Sequence, residues 1–142
     1  MAENLINEQN EYRAYFTLVG DFDPSVITAS LGIQPTSCFR KGDLNQRSRR
    51  VYTFSRWNLE SRLARTEATV KHIEDVLAQL SPVSQAIPDL CSKYEGWMQL
   101  VASFFNGQAS VDVDAELIKK LGALGLGINF DPYDLRSDGE VA

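Results

Sequence analysis

The chain has 142 residues, 44% of them hydrophobic and 23% charged, with a formal net charge of −5, a balance that belongs to a single globular domain with one core and excludes the disordered class. No apolar run reaches the roughly 18 residues a membrane helix needs, and Met1 to Asn10 has neither the basic start nor the apolar centre of a secretion signal. These features predict a cytoplasmic protein without membrane contact, ordered over about 11–134 with polar termini. Cys38 and Cys91, without Cys-x-x-Cys spacing, read as reduced thiols outside any disulfide or zinc site.

Along the chain, Tyr12, Ala14, Phe16 and Leu18 alternate with Arg13, Tyr15, Thr17 and Val19, which predicts a strand with one strongly apolar face, ended by Gly20-Asp21. Asp23-Pro24 then starts a helix, because the aspartate can cap free backbone amides and proline has no amide to leave unpaired. The helix runs to about Leu31 with Val26, Ile27 and Leu31 inward, and Gly32 stops it. Ile33 to Cys38 reads as a short extended piece, and Val51 to Leu59 returns to a strand period with apolar residues on both faces.

From Thr66 onward Val70, Ile73, Val76, Leu77 and Leu80 recur at helical spacing, with Thr66 or Thr69 as cap and Ser81-Pro82 as the break. A second helical piece, Val83 to Tyr94, is expected to kink or split at Pro88. Trp97 to Phe105 predicts a central strand with Phe104 near the core. Asn106-Gly107 then signals a hairpin into an antiparallel strand, Ala109 to Val113. Asp114 caps a helix from Ala115 to Ala123 or Leu124, with Leu117, Ile118, Leu121 and Leu124 inward, and Gly127 to Phe130 is the last strand.

The order β-α-β-α-α-β-β-α-β predicts an α+β two-layer sandwich, a mainly antiparallel sheet with helices on one face, related to ferredoxin-like folds. The expected hairpin argues against a doubly wound parallel sheet. Asp23-Pro24-Ser25-Val26-Ile27 and Asp114-Ala115-Glu116-Leu117-Ile118 hold the same place after a strand, each leading to a Leu-Gly pair, Leu31-Gly32 and Leu121-Gly122, a weak sign of internal duplication.

The chemistry-bearing residues are sparse. His72 is the single histidine, no glycine-rich phosphate loop follows a strand, and Asp23 and Asp114 are occupied as helix caps, so no catalytic constellation, metal site or cofactor is indicated. Charge is distributed unevenly. Arg40 to Lys71 holds nine basic and three acidic residues, +6, whereas the remainder holds five basic and sixteen acidic residues, −11. Within this stretch Arg40, Lys41, Asp43, Arg47, Arg49, Arg50, Arg56 and Trp57 are the candidate binding residues, since arginine and tryptophan concentrate at binding hot spots and arginine pairs well with carboxylate or phosphate.

The pattern Tyr15-Phe16-x-Leu18-x-Gly20-x-Phe22-x-Pro24-x-x-Ile27-Thr28-x-x-Leu31-Gly32-Ile33-x-Pro35-Thr36, then Lys41-Gly42-Asp43, then Trp57 and Glu60, and finally Leu121-x-x-Leu124-Gly125-Leu126 with Phe130-Asp131-x-Tyr133, resembles the bacterial family catalogued as domain of unknown function 4279. The resemblance spans Tyr12 to Tyr133 and implies a small α+β domain, usually standing alone, with no established activity or cofactor. Arg47, Arg49 and Arg50 lie outside its pattern. The function expected is a non-enzymatic protein-binding module, immunity-like pairing being one form of it. The alternative is binding of nucleic acid or a phosphate-bearing ligand through the basic 40–50 loop, and a homo-oligomer stays open.

Overall fold

The computed structural model describes residues 9–107 and 110–136. Its elements are β1 (Glu11–Gly20), α1 (Pro24–Leu31), β2 (Ser37–Phe39), β3 (Ser55–Glu60), α2 (Thr69–Leu80) running into a short 3-10 turn (Ser81–Val83), α3 (Ile87–Lys93), β4 (Glu95–Phe104), α4 (Ala115–Ala123) and β5 (Gly127–Asp134). The strands form a five-stranded open sheet ordered β2-β3-β1-β4-β5, antiparallel except for the parallel pair β4–β5. The molecule is α+β.

Alternation in the strands decides which face the helices cover. Ala14, Phe16 and Leu18 of β1, Trp57 and Leu59 of β3, and Met98 and Leu100 of β4 join Ile27 and Leu31 of α1, Ile73, Val76 and Leu80 of α2, Ile87 and Leu90 of α3, and Leu117 and Leu121 of α4 in one core cluster. All four helices therefore contribute to the same side of the sheet. The other side carries Arg13, Tyr15 and Thr17, Arg56, Asn58 and Glu60, Trp97 and Gln99, which meet across the strands in register. Polar pairs tie this side together: Arg13 Nε and Nη2 donate to the Glu60 carboxylate at 2.8 and 3.0 Å, Thr17 donates to Asn58 Oδ1 at 2.6 Å, and Trp97 Nε1 donates to Gln99 Oε1 at 2.9 Å.

The capping chemistry of α1 and α4 is present. Asp23 Oδ1 accepts from Ser25 N at 3.0 Å and Asp114 Oδ1 from Leu117 N at 2.9 Å, while Gly32 takes φ 68 in the left-handed region that glycine enters without a Cβ clash. α2 has no such cap, because its N-cap is Ala68 and neither threonine supplies a side-chain bond there. Pro88 sits in the first turn of α3 and starts that helix, so the expected Val83–Tyr94 piece, read as kinked or split at Pro88, is a helix over Ile87–Lys93 alone.

Other expectations are overturned or narrowed by tertiary packing. Ser110–Val113 forms no strand, and Ala109 lies outside the described residues. β4 already has β1 on one side, and its other side is taken by β5 returning parallel through α4, so no edge remains for a hairpin partner. The extended piece after α1 becomes β2 on β3, and the Val51–Leu59 strand shortens to Ser55–Glu60. Val26 and Ile118 are 60% and 51% exposed, facing away from the core. Phe104 is half-buried at the end of β4, beyond the core cluster.

Candidate functional site

The basic stretch between β2 and β3 folds back on itself as a small ribbon. Leu44 bridges Val51 antiparallel, and around that bridge Tyr52 N donates to Asp43 O at 2.9 Å, Gly42 N to Tyr52 O at 2.9 Å and Asn45 N to Arg50 O at 2.8 Å. Asn45 also closes the tip, its side-chain oxygen accepting from Arg47 N at 2.9 Å and Ser48 N at 3.3 Å. Arg49 adopts φ 63, the one positive φ outside glycine among the described residues, a conformation held here by the bond from Arg49 N to Asn45 O at 2.8 Å.

At the base of the ribbon the charges are neutralised internally. Lys41-Gly42-Asp43 is a turn with Gly42 at φ 93, and Asp43 Oδ2 accepts from Arg40 N at 3.1 Å. The Arg40 guanidinium lies 3.3 Å from Asp23 and the Lys41 ammonium 3.2 Å from Asp21, so the ribbon base is pinned to the entry of α1. Hydrogen bonds from Ser25, with a smaller contribution from Arg40, hold the Asp23 carboxyl below its ordinary pKa.

The tip differs. Arg47, Arg49 and Arg50 are exposed, and among the described residues no acid, acceptor or ring engages their side chains. The ribbon base, through Tyr52, joins an aromatic plinth that the sequence reading missed. Phe39 stacks on Tyr52 with centroids 3.7 Å apart and 10° between planes, Phe54 leans on Phe39 at 5.4 Å, and the Arg56 guanidinium sits 5.7 Å over Phe54 and 6.0 Å over Trp97. Phe39, Tyr52 and Phe54 flank the arginine stretch in sequence, a signal that the strand expectation for Val51 to Leu59 absorbed.

Trp57 does not belong to this surface. Odd positions of β3 face the helices, so Trp57 is fully buried, edge-on to Phe16 at 6.0 Å, with Nε1 donating to Thr28 Oγ1 at 3.0 Å. Its neighbour Arg56 is half-buried at the plinth, its Nε without a partner among the described residues. Of the residues singled out, the fold thus gathers Arg47, Arg49 and Arg50 at an exposed tip, places Arg40, Lys41 and Asp43 in its foundation, and sends Trp57 into the core.

His72 meets a residue far from it in sequence: Nδ1 is 2.7 Å from Ser61 Oγ, which also accepts from Leu63 N at 3.1 Å. The ring is 1% exposed, Nε2 has no partner among the described residues, and burial lowers the His72 pKa. Its burial on α2 and its contact with Ser61 tie that helix to the segment after β3. Among the described residues no cluster of three metal-ligating side chains occurs, and no helix is long and apolar enough to cross a membrane.

What the site offers chemically is a group of guanidinium side chains on a hydrogen-bonded backbone, each able to grip a planar anion in two places. No curated protein and no solved structure matches the chain. The family model described as Domain of unknown function (DUF4279) matches residues 10–135, from the residue before β1 to the residue after β5, and the chain therefore belongs to the DUF4279 family.

Proposed function

We propose that this protein is a small, non-enzymatic bacterial module of the cytoplasm that docks the acidic surface of a protein partner with the Arg47, Arg49 and Arg50 tip. The observation that carries this reading is the contrast within one loop: Arg40 and Lys41 are paired with the protein's own acids, whereas the three tip arginines are unpaired among the described residues and held on a hydrogen-bonded ribbon. An ordered backbone lowers the entropy lost on docking, so a preorganised tip binds better than a mobile one. Immunity-like pairing, in which a basic tip meets an acidic partner, fits this display. The two cysteines are unpaired, in keeping with a reducing compartment.

Nucleic acid is the less favoured partner. A grip on the phosphate backbone gathers many contacts along a stripe, and outside residues 40–71 the chain carries −11, which repels a long polyanion but leaves room for a compact acidic patch. The test is parallel capture from lysate by wild type and by the triple variant Arg47→Ser, Arg49→Ser, Arg50→Ser. Exposed substitutions of this kind shift stability by about 0.5 kcal/mol or less. The variant is expected to keep its melting temperature and to lose partners that high salt elutes from wild type. Equal recovery by the two baits overturns the proposal, and tight binding of a fluorescent RNA or DNA oligomer at low salt replaces it with the nucleic-acid reading.

A further inference from the structure

The two edges of the sheet are unequal. β2 offers three residues before the chain turns away into the ribbon, whereas all eight residues of β5 are exposed, with Ile128 at 43%, Phe130 at 42% and Tyr133 at 51%. A long, exposed, partly apolar edge strand is a template for pairing with another strand.

The backbone specifies how that pairing can occur. In a parallel ladder, alternate residues turn both N–H and C=O toward the same neighbour. Leu135 N donates to Phe104 O at 2.8 Å, and Phe104 is in register with Asp134. Asn129, Asp131 and Tyr133 therefore bond β4, while Ile128, Phe130, Pro132 and Asp134 turn their backbone groups outward. Pro132, which has no N–H, falls where β4 loses nothing by it.

We propose that the protein forms a symmetric dimer by antiparallel pairing of two β5 strands about Asn129, joining two sheets edge to edge. In this register Ile128 of each copy faces Phe130 of the other, and both exchange N–H and C=O groups. Their side chains form apolar cross-strand pairs, and Asp131 meets Gly127 of the second copy, so no like charges oppose. Other centres oppose different groups. Centring on Phe130 puts Ile128 against Pro132, which accepts but cannot donate, so each of those pairs keeps a single bond, and in that register Asn129→Cys would not meet its own copy. Centring on Asp131 puts that carboxylate against its own copy. Centring on Ile128 calls on Leu126, whose N–H is already bound to Leu121 O at 2.9 Å. A second copy is thus the occupant whose pattern the edge itself complements.

The experiment is sedimentation of the full chain over a wide concentration range, with Phe130→Lys and Ile128→Lys as edge variants and circular dichroism as the check on folding. Wild type is expected to approach twice 15.9 kDa as concentration rises, and the lysine variants to stay monomeric and folded. For the register, Asn129→Cys in a Cys38→Ser background should cross-link on mild oxidation. Directly opposed residues of a non-hydrogen-bonded pair have Cα atoms about 4.5 Å apart, within the roughly 4.4–6.8 Å that a disulfide spans. Asp131→Cys in the same background should not. A wild type that stays monomeric throughout, a lysine variant that dimerises like wild type, or cross-linking through Asp131→Cys as readily as through Asn129→Cys would each overturn the proposal.

Discussion

Trp57 is held at both ends, its ring against Phe16 and its Nε1 on the Thr28 hydroxyl. Thr28 in turn bonds the carbonyl of Pro24 at 3.2 Å, so the tryptophan clamps β3 to the first turn of α1. Trp57→Ala is expected to cost about 3–5 kcal/mol through the cavity it leaves. Trp57→Phe should be milder, since it fills most of the space and forfeits one hydrogen bond of about 1 kcal/mol. Urea unfolding of both variants measures the difference, and near-native stability of Trp57→Ala would contradict the buried placement. His72 gives a prediction with a sign. Burial lowers its pKa, partly offset by the nearby Glu67 backbone and by the carboxylates of Glu60, Glu67 and Asp75. The unfolded chain then binds the extra proton more readily below its value of about 6.5, so stability is full above that pH and falls as pH drops toward the lower folded value. Urea midpoints should decline as pH falls below about 6.5 in wild type and stay flatter in His72→Gln, above the range in which ordinary carboxylates protonate.

At the scale of elements, α3 and β4 approach closely because Gly96 has no side chain. A Cβ there would come 2.6 Å from Cys91 Sγ and 3.4 Å from Leu18. Gly96→Ala is therefore expected to destabilise by about 1–3 kcal/mol through overpacking, and Cys91→Ala in the same chain should restore much of the loss by removing the sulfur. Additive losses in the double-mutant cycle would show that the contact is not the cause. The helices α1 and α4 were legible because their caps are local chemistry: Asp23-Pro24, Gly32 and Asp114 act within one turn of where they stand. The hairpin after Asn106-Gly107 was misread because a turn signal states only that the chain can reverse, not that an edge is free to receive it.

At the scale of the whole molecule, the two proposed surfaces respond oppositely to ionic strength. Docking through Arg47, Arg49 and Arg50 is an attraction between opposite charges that salt screens. Pairing of two copies, each with net charge −5, proceeds against mutual repulsion that salt relieves. Raising salt should therefore release a partner captured by the tip while leaving or strengthening the dimer, and sedimentation beside capture at low and high salt checks both. The amino-acid sequence by itself determined the α+β class, the elements with local caps, the apolar faces of β1 and α2, and the concentration of positive charge between Arg40 and Lys71, because periodicity, capping and charge are properties of neighbours along the chain. Only the tertiary structure decided that Trp57 turns inward while Arg56 joins an aromatic plinth, that His72 meets Ser61, that Arg40 and Lys41 are neutralised by Asp23 and Asp21, and that β5 is an edge strand among the described residues. Each of these depends on which strands pair and which face the helices cover, and contacts between residues distant in sequence settle both.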